Sequence, residues 1–221
     1  MAGVATLAHR RPERASLGVN DSPRSPALTP TDGRRLRSEA SRGRIVDAMI
    51  AIVRETGGLG MPPAELVAER AGVGLRTVFR LFEDMDGVYR AMQAVIIAEA
   101  EPLIAGPPPT GDARLDLEAE VARRARLFEL ILPLQIAADA QRHRSPALQE
   151  GRSRLIRQQR EALLVVAPPA LAARPTQFAA LELAISFEAW RRLRTDQGAG
   201  PDEARQIMTW MALTLLDGAA G

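Results

Sequence analysis

The chain of 221 residues is 46% hydrophobic and 25% charged, with a formal charge of only +2, which suits a small domain plus a second one, or one larger domain, and does not announce nucleic acid through bulk charge. It has no apolar run near the ~18 residues of a membrane span and no cysteine for disulfides, thiol catalysis or cysteine-bound zinc. With only His9 and His143, a histidine-bearing triad or a Glu-x-x-His di-metal site lacks its parts, so a non-enzymatic cytoplasmic protein without metal or cofactor is expected.

Residues 1–37 are rich in Ala, Arg, Ser and Pro, carry no helical stripe and read as a disordered basic tail. Nine arginines face four acids over residues 1–44, so Arg34, Arg35 and Arg37 form either a basic arm for a DNA groove or a solvated tail. The first helix is expected from Ser38 or Ser41 to Glu55, because Ile45, Ala48, Met49, Ile52 and Val53 recur at helical spacing. Arg42 and Arg44 stand at its beginning, and Thr56 to Gly60 end it.

The stretch from Pro62 to Phe82 reads as two short helices around a tight turn. Pro62 and Pro63 suit a helix start, and Glu65 complements the dipole of the first turn. Gly72 falls where a helix C-terminus accepts a left-handed backbone, Val73 plugs the gap and Gly74 takes the N-cap position of the next helix. On that helix Leu75, Val78 and Phe82 share one side, with Phe79 and Leu81 at its margins. Arg76, Thr77 and Arg80 occupy the rest and have the chemistry to meet phosphates and base edges; a short amphipathic helix with solvated arginines is the alternative.

From Arg44 to Ala91 the sequence resembles the DNA-binding domain of the TetR family of bacterial repressors. Their pattern is a first helix, a second ending in Ala-Gly-Val-Ser, then Thr-Leu-Tyr-x-x-Phe and a fourth helix; here the matching segments are AERAGVG and TVFRLF. The resemblance implies DNA contacts from Arg44, Gly74, Arg76, Thr77, Phe79 and Arg80. Phe79, Leu81 and Met85 stand where family members often carry Tyr, His or Tyr, and Lys for phosphate contacts, and Glu83, Asp84 and Asp86 add negative charge nearby. Each missing contact lowers affinity and the salt slope by about one unit.

A longer helix from about Met85 to Ala105 would join this unit to the rest, with a boundary at or before Pro107, Pro108 and Pro109. Further helices are expected over 112–132, ended or kinked by Pro133, then 134–142, 145–166, 175–194 and 201–216. The fold class is all-α: an N-terminal three-helix DNA-binding domain with a helix-turn-helix (residues 38–100) and a C-terminal helical ligand-binding and dimerisation domain (101–221). Broad apolar faces on the last two helices imply burial on two sides, as in the TetR four-helix dimer bundle, or else a thick monomeric core.

Leu127, Phe128, Ile131, Leu134, Phe178 and Trp190 are candidate linings of a pocket for a small apolar ligand, with polar tips from Arg124, Gln135, His143 or Gln159. Taken together, the resemblance implies a ligand-responsive regulator, a repressor binding palindromic double-stranded operator DNA as a homodimer. The competing expectation is a dimeric ligand-binding or scaffold protein of the same shape that has lost specific DNA binding, because those phosphate anchors are missing.

Overall fold

The computed structural model describes residues 30–104 and 108–219, which form ten α-helices and no strand. The first, α1 (Pro30–Glu55), begins well before Ser38. That corrects the expected start, and it places Arg34, Arg35 and Arg37 on exposed helical turns rather than on an irregular arm. These early turns are held by local terms such as the Arg35–Glu39 pair one turn apart, 3.0 Å. They bury no apolar stripe, so periodicity could not reveal them. Residues 1–29 of the expected tail lie outside the described residues.

Past Arg44 the same helix is a core element. Ile45, Met49 and Val53 are fully buried, and Val46 and Ile50 are buried as well, so the burial is wider than the single stripe because α1 packs against four helices. These are α2 (Ala64–Arg70), α3 (Leu75–Phe82), α4 (Met85–Ile104) and α5 (Ala113–Asp139). Against α5 the fit depends on Gly58, where a Cβ would come within 2.5 Å of the Pro133 carbonyl oxygen.

Pro133 does not end a helix: it lies inside α5, which runs 27 residues from Ala113 to Asp139. After a 3-10 turn at Arg142–Arg144 come α6 (Pro146–Val166), α7 (Pro169–Ala172), α8 (Pro175–Ala184), α9 (Phe187–Arg191) and α10 (Pro201–Ala219). The expected helix over 175–194 is broken. Ser186 leaves helical geometry and caps α9 by accepting from the Ala189 amide at 3.2 Å, and a π-type turn follows at Arg192–Asp196.

The break has a cause in the core. Arg124 is fully buried, its Nε donates to Glu120 at 2.6 Å and its Nη1 to the Ile185 carbonyl at 3.0 Å, while its remaining nitrogen donates to the Gln159 carbonyl. A buried guanidinium must satisfy its donors, and the interruption at Ile185 helps supply an acceptor. Arg124 thereby ties α5 to α6 and to the α8–α9 junction.

Candidate nucleic-acid interface and ligand cavity

The turn between α2 and α3 forms by local hydrogen bonding. Gly72 adopts φ +63°, its amide donates to Glu69 O at 3.1 Å, and the Val73 amide reaches back to Ala68 O at 3.0 Å. This is the double hydrogen bond of a Schellman stop. Gly74, extended at φ −73°, ψ 146°, opens α3 without a capping side chain, so no side chain of its own covers the first-turn amides.

On α3, Val78 and Phe82 are buried while Arg76 and Arg80 are exposed, one turn apart, with half-buried Thr77 between them and Phe79 40% exposed. Neither Arg76 nor Arg80 has an ion pair or side-chain hydrogen bond among the described residues. The outward face is therefore two unengaged guanidiniums, a hydroxyl and an aromatic ring.

The far end of α3 is clamped by a residue that sequence reasoning placed only at the beginning of the first helix. Arg42 donates to the Leu81 carbonyl and lies over the Phe82 ring, 4.3 Å from its centre. The chain then turns at Glu83, whose φ of +68° and ψ of −54°, with the Asp84 amide donating to Phe82 O at 2.8 Å, make a strained γ-turn. Gly87 is required beneath it: a Cβ there would sit 2.1 Å from Phe82 O.

Arg44, grouped with the DNA contacts on sequence, is exposed but engaged. Its Nε donates to Ala71 O at 3.2 Å and its Nη2 to Ser41 Oγ at 3.2 Å, stapling α1 to the helix-turn-helix. Asp86 faces away from α3's outward side: its carboxylate accepts from Ser145 Oγ at 2.6 Å and from the Ala147 amide at 3.3 Å. Glu83 and Asp84 remain exposed at the end of α3, with Asp84 accepting from the Gly87 amide at 2.8 Å.

A cavity of about 120 Å³ lies among α4, α5 and α6. Leu127, Ile131 and Leu134, spaced along one face of α5, line it, as do Gln135 and Gln159. Phe128, Phe178 and Trp190 do not. They are buried in the core, where Phe128 meets the Phe187 ring edge-on at 5.6 Å and Trp190 donates its indole N–H to Glu129 at 2.9 Å. Aromatic bulk on an all-helical chain marks burial without saying which side of the helix meets a void. Arg124 is consumed by the core network, and His143 is exposed and away from the cavity.

Sequence reasoning missed the α4 wall and, apart from Gln159, the α6 wall, among them Met92, Ile96, Gly151, Arg152 and Leu155. A signal was present, since Leu148, Gly151, Arg152, Leu155, Gln158, Gln159 and Ala162 recur at helical spacing on α6. That face mixes polar with apolar residues and so does not read as core. Gly151 makes room for the Gln93 side chain, which a Cβ there would meet at 2.5 Å, and Gln93 donates to the Ala147 carbonyl at 3.0 Å, linking α4 to α6.

No family model and no curated protein matches the sequence. Several solved structures share the fold. One is a transcriptional regulator from Rhodococcus sp. Rha1, 19% identical, with 80% of this chain and 96% of the other covered at a TM-score of 0.59. A second Rhodococcus protein, described as a TetR-family transcriptional regulator, is 18% identical over 80% of this chain and 98% of its own, TM-score 0.57. The multidrug binding protein EbrR, complexed with imidazole, is 23% identical over 77% and 88%, TM-score 0.52.

Proposed function

We propose that this chain, whose fold is that of TetR-type transcriptional regulators, is itself a ligand-responsive regulator of that family. It binds palindromic operator DNA as a homodimer and is released by a small molecule. The observation that carries the reading is α3: clamped at its far end by Arg42, seated by Val78 and Phe82, and turning Arg76, Thr77, Phe79 and Arg80 outward with both guanidiniums unengaged. Arginine reads guanine edges or phosphates, and an exposed ring suits the methyl of thymine. Arg44 supports the interface by holding α1 on the turn, and Gly74 leaves the first-turn amides of α3 open to a phosphate.

Pairing through α8 and α10 is supported by Trp210 and Leu183, which are 68% and 65% exposed on these two packed helices. Isolated large apolar side chains are ordinary, but two on adjoining elements suit a twofold interface. Trp210→Glu is expected to convert a dimer to monomers in sedimentation. A wild-type chain that is already monomeric at micromolar concentration would remove the pairing.

The route from ligand to DNA runs through α4. It abuts α3, is pinned through Asp86 to the start of α6, and lines the cavity with Met92, Ile96 and Ala100. A ligand that fits one tilt of α4 better than another shifts the dimer toward wrongly spaced recognition helices. The DNA-binding unit is assigned to residues 38–100 and the ligand and dimer unit to 101–221, with α4 shared in packing. Titrating palindromic DNA from around the coding region at two salt concentrations tests the regulator. Arg76→Ala or Arg80→Ala should cost about 1–3 kcal/mol where the residue reads a base. Equal affinity for scrambled DNA would instead favour the scaffold reading, for which Phe79, Leu81 and Met85 speak.

A further inference from the structure

We propose that the cavity among α4, α5 and α6 takes an apolar molecule bearing a carboxylate, with the carboxylate seated at Arg152 and the hydrocarbon along Ile96, Leu127, Ile131 and Leu155. This rests on reading the cavity as the effector site and adds the chemical class of the effector. The first support is the charge of the wall: Arg123, Arg152 and Arg154 line it, and no carboxylate does among the described residues. A cation entering such a site would lose water without gaining a counter-charge.

The three arginines are not equivalent. Arg123 has all three nitrogens engaged, making two bonds to Glu120 at 2.7 and 2.6 Å and a third to Leu103 O at 3.3 Å. Arg154 is half-buried and paired with Glu150 at 3.0 Å. Arg152 is nine-tenths buried, pairs with Glu188 through one nitrogen and lies 5.5 Å from the Phe187 ring centre, and its Nη1 is buried with no acceptor.

The surroundings add to the imbalance. Arg142 and Arg191 share Asp139, and Arg142 Nε is also buried without a partner. Three guanidiniums thus divide two carboxylates, Asp139 and Glu188. Burial, followed by the nearby charges of Arg142 and Arg191, pushes Arg152 down to about 10. A third carboxylate relieves both the charge excess and the unmet donors. Gln159, two turns further along the same face of α6, holds a second buried N–H without an acceptor, at Nε2, and can serve a carbonyl or hydroxyl further along the ligand. The remaining wall is mostly aliphatic, with Gln93, Gln135 and Gln158 as its other uncharged polar members, and such a lining disfavours a small hydrophilic anion as the occupant.

The test is calorimetric titration of the full-length protein, without DNA, with decanoate, decanol and decylamine and with shorter and longer homologues of each. Decanoate or a homologue is expected to bind at least about tenfold more tightly than the matching amine. Arg152→Gln should bring acid and alcohol within about threefold of each other while leaving alcohol affinity unchanged. Amine binding as tight as acid binding on the unaltered protein overturns the proposal without needing any variant, as does a preference for acid that survives Arg152→Gln. If no probe of any charge binds, both this inference and the effector-site reading fall, whereas DNA recognition by α3 is judged separately by the operator titration.

Discussion

Arginine supplies every lysine-type charge in this chain, yet the outward face of α3 and the interior around α5 use it in opposite ways. On α3, Arg76 and Arg80 are exposed and unengaged; in the interior Arg124 has no exposure and spends its donors on Glu120, Ile185 and Gln159. Arg42 and Arg44 lie between, on the surface but turned back onto the helix-turn-helix. Residue type is constant across these sites, so what distinguishes a contact for DNA from a structural tie is whether its donors are already satisfied at home.

Five substitutions grade that contrast, and their effects on folding should fall in the reverse order of their direct effects on DNA. Arg124→Met leaves Glu120 with one partner fewer in a dry site and should cost about 3–5 kcal/mol of stability, read as a lower midpoint in urea denaturation. Arg42→Ala removes the clamp on Leu81 O and the contact with Phe82, and should cost about 1–2 kcal/mol, with DNA affinity falling because α3 is less firmly seated. Glu83→Gly should gain about 1 kcal/mol by relieving the positive φ, visible as a raised Tm. Arg76→Ala and Arg80→Ala should move stability by less than about 0.5 kcal/mol. A large loss of stability from either would erase the distinction between the two sets.

Of the two sets, acid should act on the interior one, through Glu120. The Arg123 and Arg124 guanidiniums overcome burial and hold the Glu120 carboxyl below the usual carboxylate range. Its contribution is therefore present above the ordinary glutamate pKa and lost as pH falls through the depressed folded value. Glu120→Gln should flatten the acid limb of the stability profile.

What could be read in advance followed the range of the interaction. The turn at AGVG was legible because Gly72, Val73 and Gly74 act through hydrogen bonds spanning a few residues, and the apolar grouping of Val78 with Phe82 lies within one short helix. Leu127, Ile131 and Leu134 were picked out as pocket lining, but in one set with Phe128, Phe178 and Trp190, which are buried away from the cavity. The early turns of α1 were not legible, since Gly33 to Arg44 present no buried face. Nor was the interruption at Ser186, whose neighbour Ile185 accepts from Arg124, sixty-one residues away. The Arg152 cluster stayed hidden for the same reason: Asp139, Arg142, Glu188 and Arg191 meet only after α5, α6 and α9 have packed.

The most direct test of the account is the affinity of wild type, Arg76→Ala and Arg80→Ala for palindromic and scrambled DNA at two salt concentrations. Selective, salt-sensitive binding by wild type that both variants lose while remaining folded is the predicted result. Wild-type binding indifferent to sequence, and unchanged by either substitution, would contradict the assignment of α3 as the reading element.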